Sequence, residues 1–190
     1  MIEISYIIIQ LLIFFLLFSL NYQAINVKLL NDFKLNYFES YSLSIVLQLN
    51  IILFLSFLNI DLEKIIKTYL IINLIIFLLN VYYFKLTFFK DKFFNLKFTF
   101  LFLISLIIFF DISHNLTLTW DAEKFWFNKA LNFYHGNTIE SFSDLYRSHY
   151  PFFGDLIWAF FWKFSLISNE YAGRLFFAFF YVFAISTLVN

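Results

Sequence analysis

TLTWDAEKFWFNKALNFYHGNTIESFSDLYRSHYPFFGDLIWAFFWKFSLISNEYAGRL, residues 117–175, is the stretch around which this chain is organised. It contains all three glycines, the only proline and all four tryptophans of the 190 residues. The three histidines of the chain also lie after residue 110, and the first 110 residues contain none of these four residue types. We therefore expect the chemistry of the protein to lie in this stretch.

The composition around this stretch is apolar. Hydrophobic residues make up 62% of the chain, 32 residues are Phe, and only 14% are charged. Soluble domains are usually about half apolar and about a quarter charged. The formal net charge of zero gives no electrostatic reason to expect a nucleic-acid partner. The absence of cysteine excludes disulfides and thiolate metal sites. The composition predicts an all-α, polytopic transmembrane protein.

Four apolar segments support this prediction. A helix needs roughly 17–25 mainly apolar residues to cross a bilayer, and the segments approach or reach that length. The first begins after the acidic Glu3 instead of a basic region, so it is interpreted as a retained helix and not as a signal peptide. The segments are Ile4–Leu20, Ser44–Ile60, Ile65–Phe89 and Phe98–Ile112.

The predicted organisation divides the chain at residue 97. Residues 1–97 are predicted to form N-terminal transmembrane helices with short loops. Residues 98–190 are predicted to begin a core made of a membrane helix, an outer loop (113–150), an apolar helix (152–167) and a partial membrane helix (171–190). Because that last segment is too short to cross a bilayer, we expect a fragment of a longer protein, inactive alone.

The lysines predict an orientation. The first and third polar connections carry six lysines, whereas the second carries Lys64 and Lys67. Short lysine-rich loops tend to stay cytoplasmic. The sequence therefore predicts an integral membrane protein in which the loop after Phe98–Ile112 faces the outside. Amides within the apolar segments are expected to hydrogen-bond between helices and not to contact substrate. They are Gln10, Gln48, Asn50, Asn73 and Asn80.

An amphipathic helix is predicted within the outer loop. Thr119 is a suitable N-cap, and the sequence His135-Gly136-Asn137 is a suitable stop. We expect this helix to lie on the bilayer surface. Pro151 is predicted to start an apolar helix that carries Asp155, expected to be re-entrant or interfacial. The apolar stripe of the amphipathic helix consists of Ala122, Trp126, Ala130 and Phe133, and its polar stripe of Lys124, Asn128, Asn132 and His135.

A candidate site combines an acid with two cations. Asp121 and Glu123 lie in the first turn of the amphipathic helix, and Arg147 and His149 precede Pro151. An acid can take a proton from an acceptor hydroxyl, and cations can stabilise a departing phosphate. Helix capping alone also accounts for an acid at the first position, and basic residues are common at interfaces because they snorkel.

The order of the motifs resembles the first outer loop of GT-C glycosyltransferases. The sequence W-D-A-x-x-x-W-x-x-K-A is followed by H-Y-P, then W-x-x-x-W-K, then N-E-Y-A-G-R-L. The likeness is to the family that includes protein O-mannosyltransferases and lipid A aminoarabinose transferase, and it covers Trp120 to about Leu175. It implies a membrane glycosyltransferase of the cell envelope, located in the bacterial cytoplasmic (inner) membrane with the outer loop facing the periplasm. Such an inverting enzyme moves a sugar from a polyprenyl-phosphate donor to a lipid, glycan or protein acceptor on the outer face of the membrane.

The resemblance also implies roles for residues. Asp121 matches the catalytic acid, His149 the cation that contacts the donor phosphate together with Arg147, and Arg174 a structural position. Family members often have two adjacent acids, whereas Ala122 separates Asp121 from Glu123 here, so Glu123 is at most a secondary acid. The implied partners are the lipid-linked sugar donor and membrane lipids. No cofactor is required, and a divalent metal is optional, as used by some relatives in the wider superfamily.

Two alternative functions remain open. A transporter or flippase of lipid-linked sugars would show charges near the centres of its helices, where this chain has only amides. A non-catalytic membrane assembly protein would not depend on Asp121.

His114 and His135 lack the spacing of familiar metal ligands, so we interpret them as interfacial polar residues. The four tryptophans are interpreted as an aromatic belt at the headgroup level. They are Trp120, Trp126, Trp158 and Trp162.

Overall fold

The structure is a computed structural model. It describes residues 2–25, 37–84, 117–145, 147–166 and 170–189, together with 100, 103–105, 107–108, 111 and 115. Every regular element in these ranges is helical. The elements are α1 (Ile2–Ile25), α2 (Tyr37–Ser56), α3 (Leu62–Phe84), a π-helical segment (Ala122–Phe127) continued by α4 (Asn128–Tyr134), a 3-10 helix (Ile139–Asp144), α5 (Phe153–Lys163) and α6 (Tyr171–Val189).

Helix α5 lies at the centre of the apolar core. All residues from Asp155 to Trp162 are buried, so the helix meets other elements on every side. Its Phe161 ring stacks on Phe176 of α6 at 3.9 Å and meets Phe14 of α1 edge-on at 5.1 Å. Its Phe160 ring meets Tyr69 of α3 edge-on at 5.3 Å. Helices of the same chain therefore surround the segment that was predicted to be a re-entrant or interfacial helix.

Helices α5 and α6 approach closely at Gly173. A Cβ atom on this residue would lie 2.3 Å from the carbonyl oxygen of Trp158, far inside a normal contact distance. The Trp158 indole N–H donates to the carbonyl oxygen of Glu170 at 3.3 Å. The Glu170 carboxylate forms a 2.9 Å ion pair with Arg174 one turn later. The start of α6 is therefore fixed on α5 by close packing and by polar contacts.

A buried amide joins the three N-terminal helices. Gln48 of α2 accepts a hydrogen bond from the Tyr69 hydroxyl of α3 and donates to the Ser44 hydroxyl at 3.2 Å. It also donates to the carbonyl oxygen of Phe18 in α1 at 3.5 Å. For Gln48, the prediction that amides bond between helices is confirmed. Gln10 is equally buried but forms no side-chain hydrogen bond to the described residues.

The prediction of a polytopic transmembrane fold is wrong. Among the residues that the structure describes, no helix is both long enough and apolar enough to cross a membrane. A span requires about 20 consecutive, mainly apolar residues. Helix α5 has only 11 residues and includes Asp155. The predicted location as an integral protein of the bacterial inner membrane is overturned by the same finding. Most of the predicted segment Phe98–Ile112 and the boundary at residue 97 lie outside the described residues.

The predicted amphipathic helix is present, with a different first half. It begins at Trp120, directly after Thr119, and ends at His135, where Gly136 adopts φ +90°. Residues 122–127 form a π-helix instead of an α-helix, and the sequence gives no signal for it. The helix packs on α5, since the Tyr134 ring, next to the predicted stripe, stacks on Trp162 at 4.0 Å. Phe133 of the stripe is buried and meets Phe142 of the 3-10 helix at 4.9 Å. The stripe was expected to face the bilayer, and it instead faces another helix of this chain.

Candidate functional site

Asp121 and Glu123 lie at the start of the π-helical segment with exposed side chains. The capping interpretation of Asp121 requires a hydrogen bond from a backbone N–H of the first turn to its carboxylate. That side-chain bond is not formed in the described structure. The first turn is instead closed by the backbone, since the Glu123 N–H donates to the carbonyl oxygen of Thr119 at 2.9 Å. The Asp121 carboxylate is therefore exposed and does not cap the helix.

Arg147 and His149 lie on one tight turn with exposed side chains. The turn is closed by the Tyr150 N–H, which donates to the carbonyl oxygen of Arg147 at 3.0 Å. Arg147 has φ +57°, a left-handed conformation that is uncommon for a residue with a side chain. Its guanidinium carbon lies 5.7 Å from the Tyr150 ring centroid, and the His149 ring meets the same ring edge-on at 4.9 Å.

Tyr150 links this turn to the helix of Asp121. Its ring lies 5.8 Å from Trp126 and 6.2 Å from Phe125, both in the π-helical segment that follows Asp121. Phe125 in turn meets Trp120 edge-on at 5.3 Å. The structure thus brings the two predicted cations onto an element that packs against the predicted acid's helix. Two segments about 25 positions apart in the sequence are thus in contact through one aromatic cluster.

Lys129 holds the turn of Arg147 and His149 from its buried side. It was not predicted as a site residue. It is fully buried, and its Nζ donates to the carbonyl oxygen of Tyr150 at 2.8 Å. The same Nζ lies 5.8 Å from the ring centroids of Trp126, Phe142 and Tyr150. Burial lowers the pKa of the Lys129 ammonium, while the charge of Asp155 partly raises it. The sequence signal was a single lysine directly before the apolar residue Ala130, which alone does not indicate burial.

Asp155 is the second buried charge of the region. Its side chain is 2% exposed, and its Oδ2 has no hydrogen-bond partner among the described residues. Burial raises the pKa of this carboxyl to about 8, although the nearby positive charge of Lys129 lowers it. At neutral pH most of the Asp155 population is therefore a neutral acid. A buried carboxyl that cannot hydrogen-bond favours its protonated form for this reason.

The aromatic residues serve the core more than an interface. Trp158 and Trp162 are buried, and Trp162 also stacks on Phe127 at 5.9 Å. For this pair the belt interpretation is wrong, because the Trp158 ring packs on Phe127 and on the start of α6, and the Trp162 ring packs on Phe127 and Tyr134. Trp120 is 64% exposed and is not part of that contact.

In the ranges that the structure describes, no group of three or more histidine, aspartate or glutamate side chains lies close enough to hold a metal ion. His114 lies outside these ranges. The optional divalent metal stays a prediction, and no chemical step below uses it.

Comparison of the chain with models of protein families, with curated proteins and with solved structures gave no match.

Proposed function

We propose that this protein transfers a sugar from a polyprenyl-phosphate donor to a hydroxyl group of a lipid, glycan or protein acceptor. One observation carries the proposal. The Tyr150 ring joins the turn of Arg147 and His149 to the helix that starts at Asp121, so an exposed acid and two exposed cations lie on adjoining elements. The resemblance of the motif order to GT-C glycosyltransferases supplies the reaction class.

The reaction follows from the charges. Asp121 takes the proton of the acceptor hydroxyl as its oxygen attacks the anomeric carbon of the sugar. The bond between that carbon and the phosphate oxygen breaks, and the new glycosidic bond forms on the opposite face, which inverts the configuration. The electron pair leaves with the polyprenyl phosphate. Arg147 and His149 stabilise the negative charge that develops on it, since charged hydrogen bonds to phosphate are strong. Glu123, in the same turn, is the secondary acid.

The backbone of the cation turn supports a functional interpretation. A left-handed conformation costs a residue with a side chain roughly 1–2 kcal/mol. Such strain persists where the surrounding structure holds it, and it occurs often at ligand sites. Here the hydrogen bond from Lys129 to Tyr150 holds the turn that contains Arg147. The strained conformation directs two cations outward from a turn fixed on a buried lysine.

The first test is substitution of the acid. The protein, expressed from its whole gene, is incubated with short-chain polyprenyl-phosphate glucose, mannose and arabinose. The release of polyprenyl phosphate is then measured. Asp121→Asn should lower the rate at least about 100-fold, the usual contribution of general-base catalysis. Asp144→Asn is the matched control, because this exposed acid lies in the 3-10 helix outside the site, and it should keep the wild-type rate. Equal rates for both variants would remove Asp121 from the mechanism.

A second test addresses the phosphate-binding role. Arg147→Asn removes the cation but keeps a residue that tolerates the left-handed conformation of this position. We expect weaker binding of the polyprenyl-phosphate donor and an unchanged affinity for the corresponding free sugar. Lys67→Gln, which removes an exposed cation on α3, serves as the control. A wild-type protein that neither binds these donors nor releases lipid phosphate would favour the non-catalytic assembly role instead.

A further inference from the structure

A cavity of about 260 Å³ lies beside the polar stripe of α4, where the chain turns into the 3-10 helix. The stripe was predicted as the solvated face of an amphipathic helix, and the proposed sugar transfer does not use it. Three amides, one imidazole and two leucines form the wall of the cavity. The lining residues are Asn128, Leu131, Asn132, His135, Asn137 and Leu145.

Hydrogen bonds fix part of this wall in advance. The Asn132 amide nitrogen donates to the Ser141 hydroxyl at 2.6 Å, and its oxygen accepts from the Asn137 amide at 2.7 Å. The Ser141 hydroxyl donates to the carbonyl oxygen of Thr138 at 2.7 Å. The helix end is therefore tied to the 3-10 helix, and the cavity exists without a ligand. A site built in advance loses less entropy on binding.

Other polar atoms of the wall are still available. The Asn128 amide nitrogen donates to the carbonyl oxygen of Lys124 at 2.9 Å, which leaves its oxygen as an acceptor. Within the described part of the chain, no hydrogen bond engages that oxygen, the Asn137 amide oxygen or the ring nitrogens of His135. A neutral imidazole offers one donor and one acceptor. The cavity thus presents donors and acceptors side by side, as adjacent hydroxyl groups require.

We propose that this cavity binds a neutral monosaccharide unit. Ring hydroxyls would bond to Asn128, Asn137 and His135, and Leu131 and Leu145 would contact the C–H face of the sugar ring. None of the lining residues carries a fixed charge that would select phosphate or carboxylate. The volume lies below the roughly 300–1,000 Å³ of sites for drug-sized ligands, which suits one sugar ring.

The site deepens the proposed function by naming a sugar of the acceptor as its ligand, and in that role it rests on the proposed function. Sugar binding itself does not need transfer. It can be measured on the Asp121→Asn variant, in which the proposed base is absent. Absence of transfer by the wild type, with sugar binding retained, would contradict only the assignment of the site to the acceptor, whereas absence of sugar binding contradicts the site.

The test is a titration with methyl α-mannopyranoside and methyl α-glucopyranoside, in which saturation-transfer NMR measures the binding. We expect saturable binding of at least one of them, weakened about two- to tenfold by Asn128→Ala and by His135→Ala, as expected for lost hydrogen bonds. Asn50→Ala is the matched control. Asn50 is also exposed, and its amide likewise donates to the backbone four residues earlier, at 2.8 Å, but it lies on α2. This variant should bind the sugar like the wild type.

Leu145→Trp provides an independent variant, because it fills the cavity without removing a polar group. It should abolish binding while the helical circular dichroism stays that of the wild type. Should that variant unfold, Asn128→Ala still decides the matter, since its side chain is exposed. Three results would overturn the proposal. They are no saturable binding of either glycoside, equal affinities in the Asn128 and Asn50 variants, and tighter binding of glucose 6-phosphate than of glucose.

Discussion

The Nζ of Lys129 donates a 2.8 Å hydrogen bond to the carbonyl oxygen of Tyr150, across 21 residues of sequence. This bond joins the buried side of α4 to the turn that carries Arg147 and His149. Few side chains could replace it, because the donor must reach a carbonyl through a cluster of three aromatic rings. The conformation of an exposed turn therefore depends on a residue with no exposed surface.

Lys129→Met should destabilise the protein and loosen the turn. The change keeps an unbranched side chain but leaves the Tyr150 carbonyl without its donor, at a cost of about 1–3 kcal/mol in the free energy of unfolding. Trypsin should then cut faster after Arg147, with the site identified by mass spectrometry. Lys67→Met, at an exposed position of α3, should change neither the stability nor the cleavage. Unchanged cleavage after Arg147 in both variants would show that the turn does not depend on this bond.

Asp155 should make the stability fall as the pH rises. Its pKa increases from 3.8 in the unfolded chain to about 8 in the folded one, so between these values the folded state holds one more proton. The free energy of unfolding should then decrease by up to about 1.4 kcal/mol per pH unit between about pH 5 and 7. The stabilisation that comes from the protonated Asp155 is complete below the pKa of the unfolded chain. It is lost as the pH rises past the pKa of the folded protein.

The Asp155→Asn variant isolates this effect in urea titrations at several pH values. Its stability should depend on pH less steeply than that of the wild type, because the introduced amide does not titrate. Glu170, whose pKa burial also raises, keeps a slope of the same sign in both proteins. Lys129 acts in the opposite sense and at higher pH, because its pKa is lowered. Parallel profiles for the two proteins would contradict a buried, protonated Asp155.

Gly173→Ala should lower the free energy of unfolding by about 1–3 kcal/mol, the usual cost of overpacking. The added methyl group would meet the backbone oxygen of Trp158, and α5 and α6 would have to separate. Gly154→Ala is the control, since nothing lies within 4 Å of its Cβ position. That variant should be as stable as the wild type or more stable, because alanine is the better helix former. Urea midpoints compare the two, and equal losses would exclude close packing as the cause.

Glu170 and Arg174 should be coupled in a double-mutant cycle. Their ion pair spans 2.9 Å, and the two side chains are only 19% and 17% exposed. We expect an interaction energy of about 0.5–3 kcal/mol from the variants Glu170→Gln, Arg174→Met and their combination. The pair of Asp61 and Lys64 has a similar distance, 2.8 Å, but is more exposed. Its cycle should give the smaller coupling because water screens exposed pairs, and the reverse order would be evidence against a role for burial.

The sequence predicted helices better than their surroundings. Pro151 correctly indicated the start of α5, and the sequence His135-Gly136-Asn137 indicated the end of α4. These signals are local, because a proline or a glycine affects its own stretch of backbone. Whether an apolar face meets lipid or another helix is not local. The Phe161 side chain is equally suited to either setting, and only its stack on Phe176 decides that it faces protein.

In the candidate site, too, residues with a local sequence signal were predicted and residues whose importance depends on packing were missed. Asp121, Arg147 and His149 were predicted from residue type and order, and the structure places all three at the surface. Lys129 and Asp155 were missed as a pair because each is a single charge within an apolar run. Their significance depends on burial, which arises when α4 packs against α5. The π-helical segment was missed as well, since its residues are ordinary helix formers.

Gly173 also indicates how this chain would diverge. The separation of α5 and α6 is set there by the absence of a side chain, whereas most core positions can exchange one apolar residue for another of similar volume. We therefore expect position 173 of related sequences to accept only small residues, while the apolar side chains around it exchange for one another. A small residue at 173 together with a large aromatic residue at 158 would then mark the same helix contact in a related sequence.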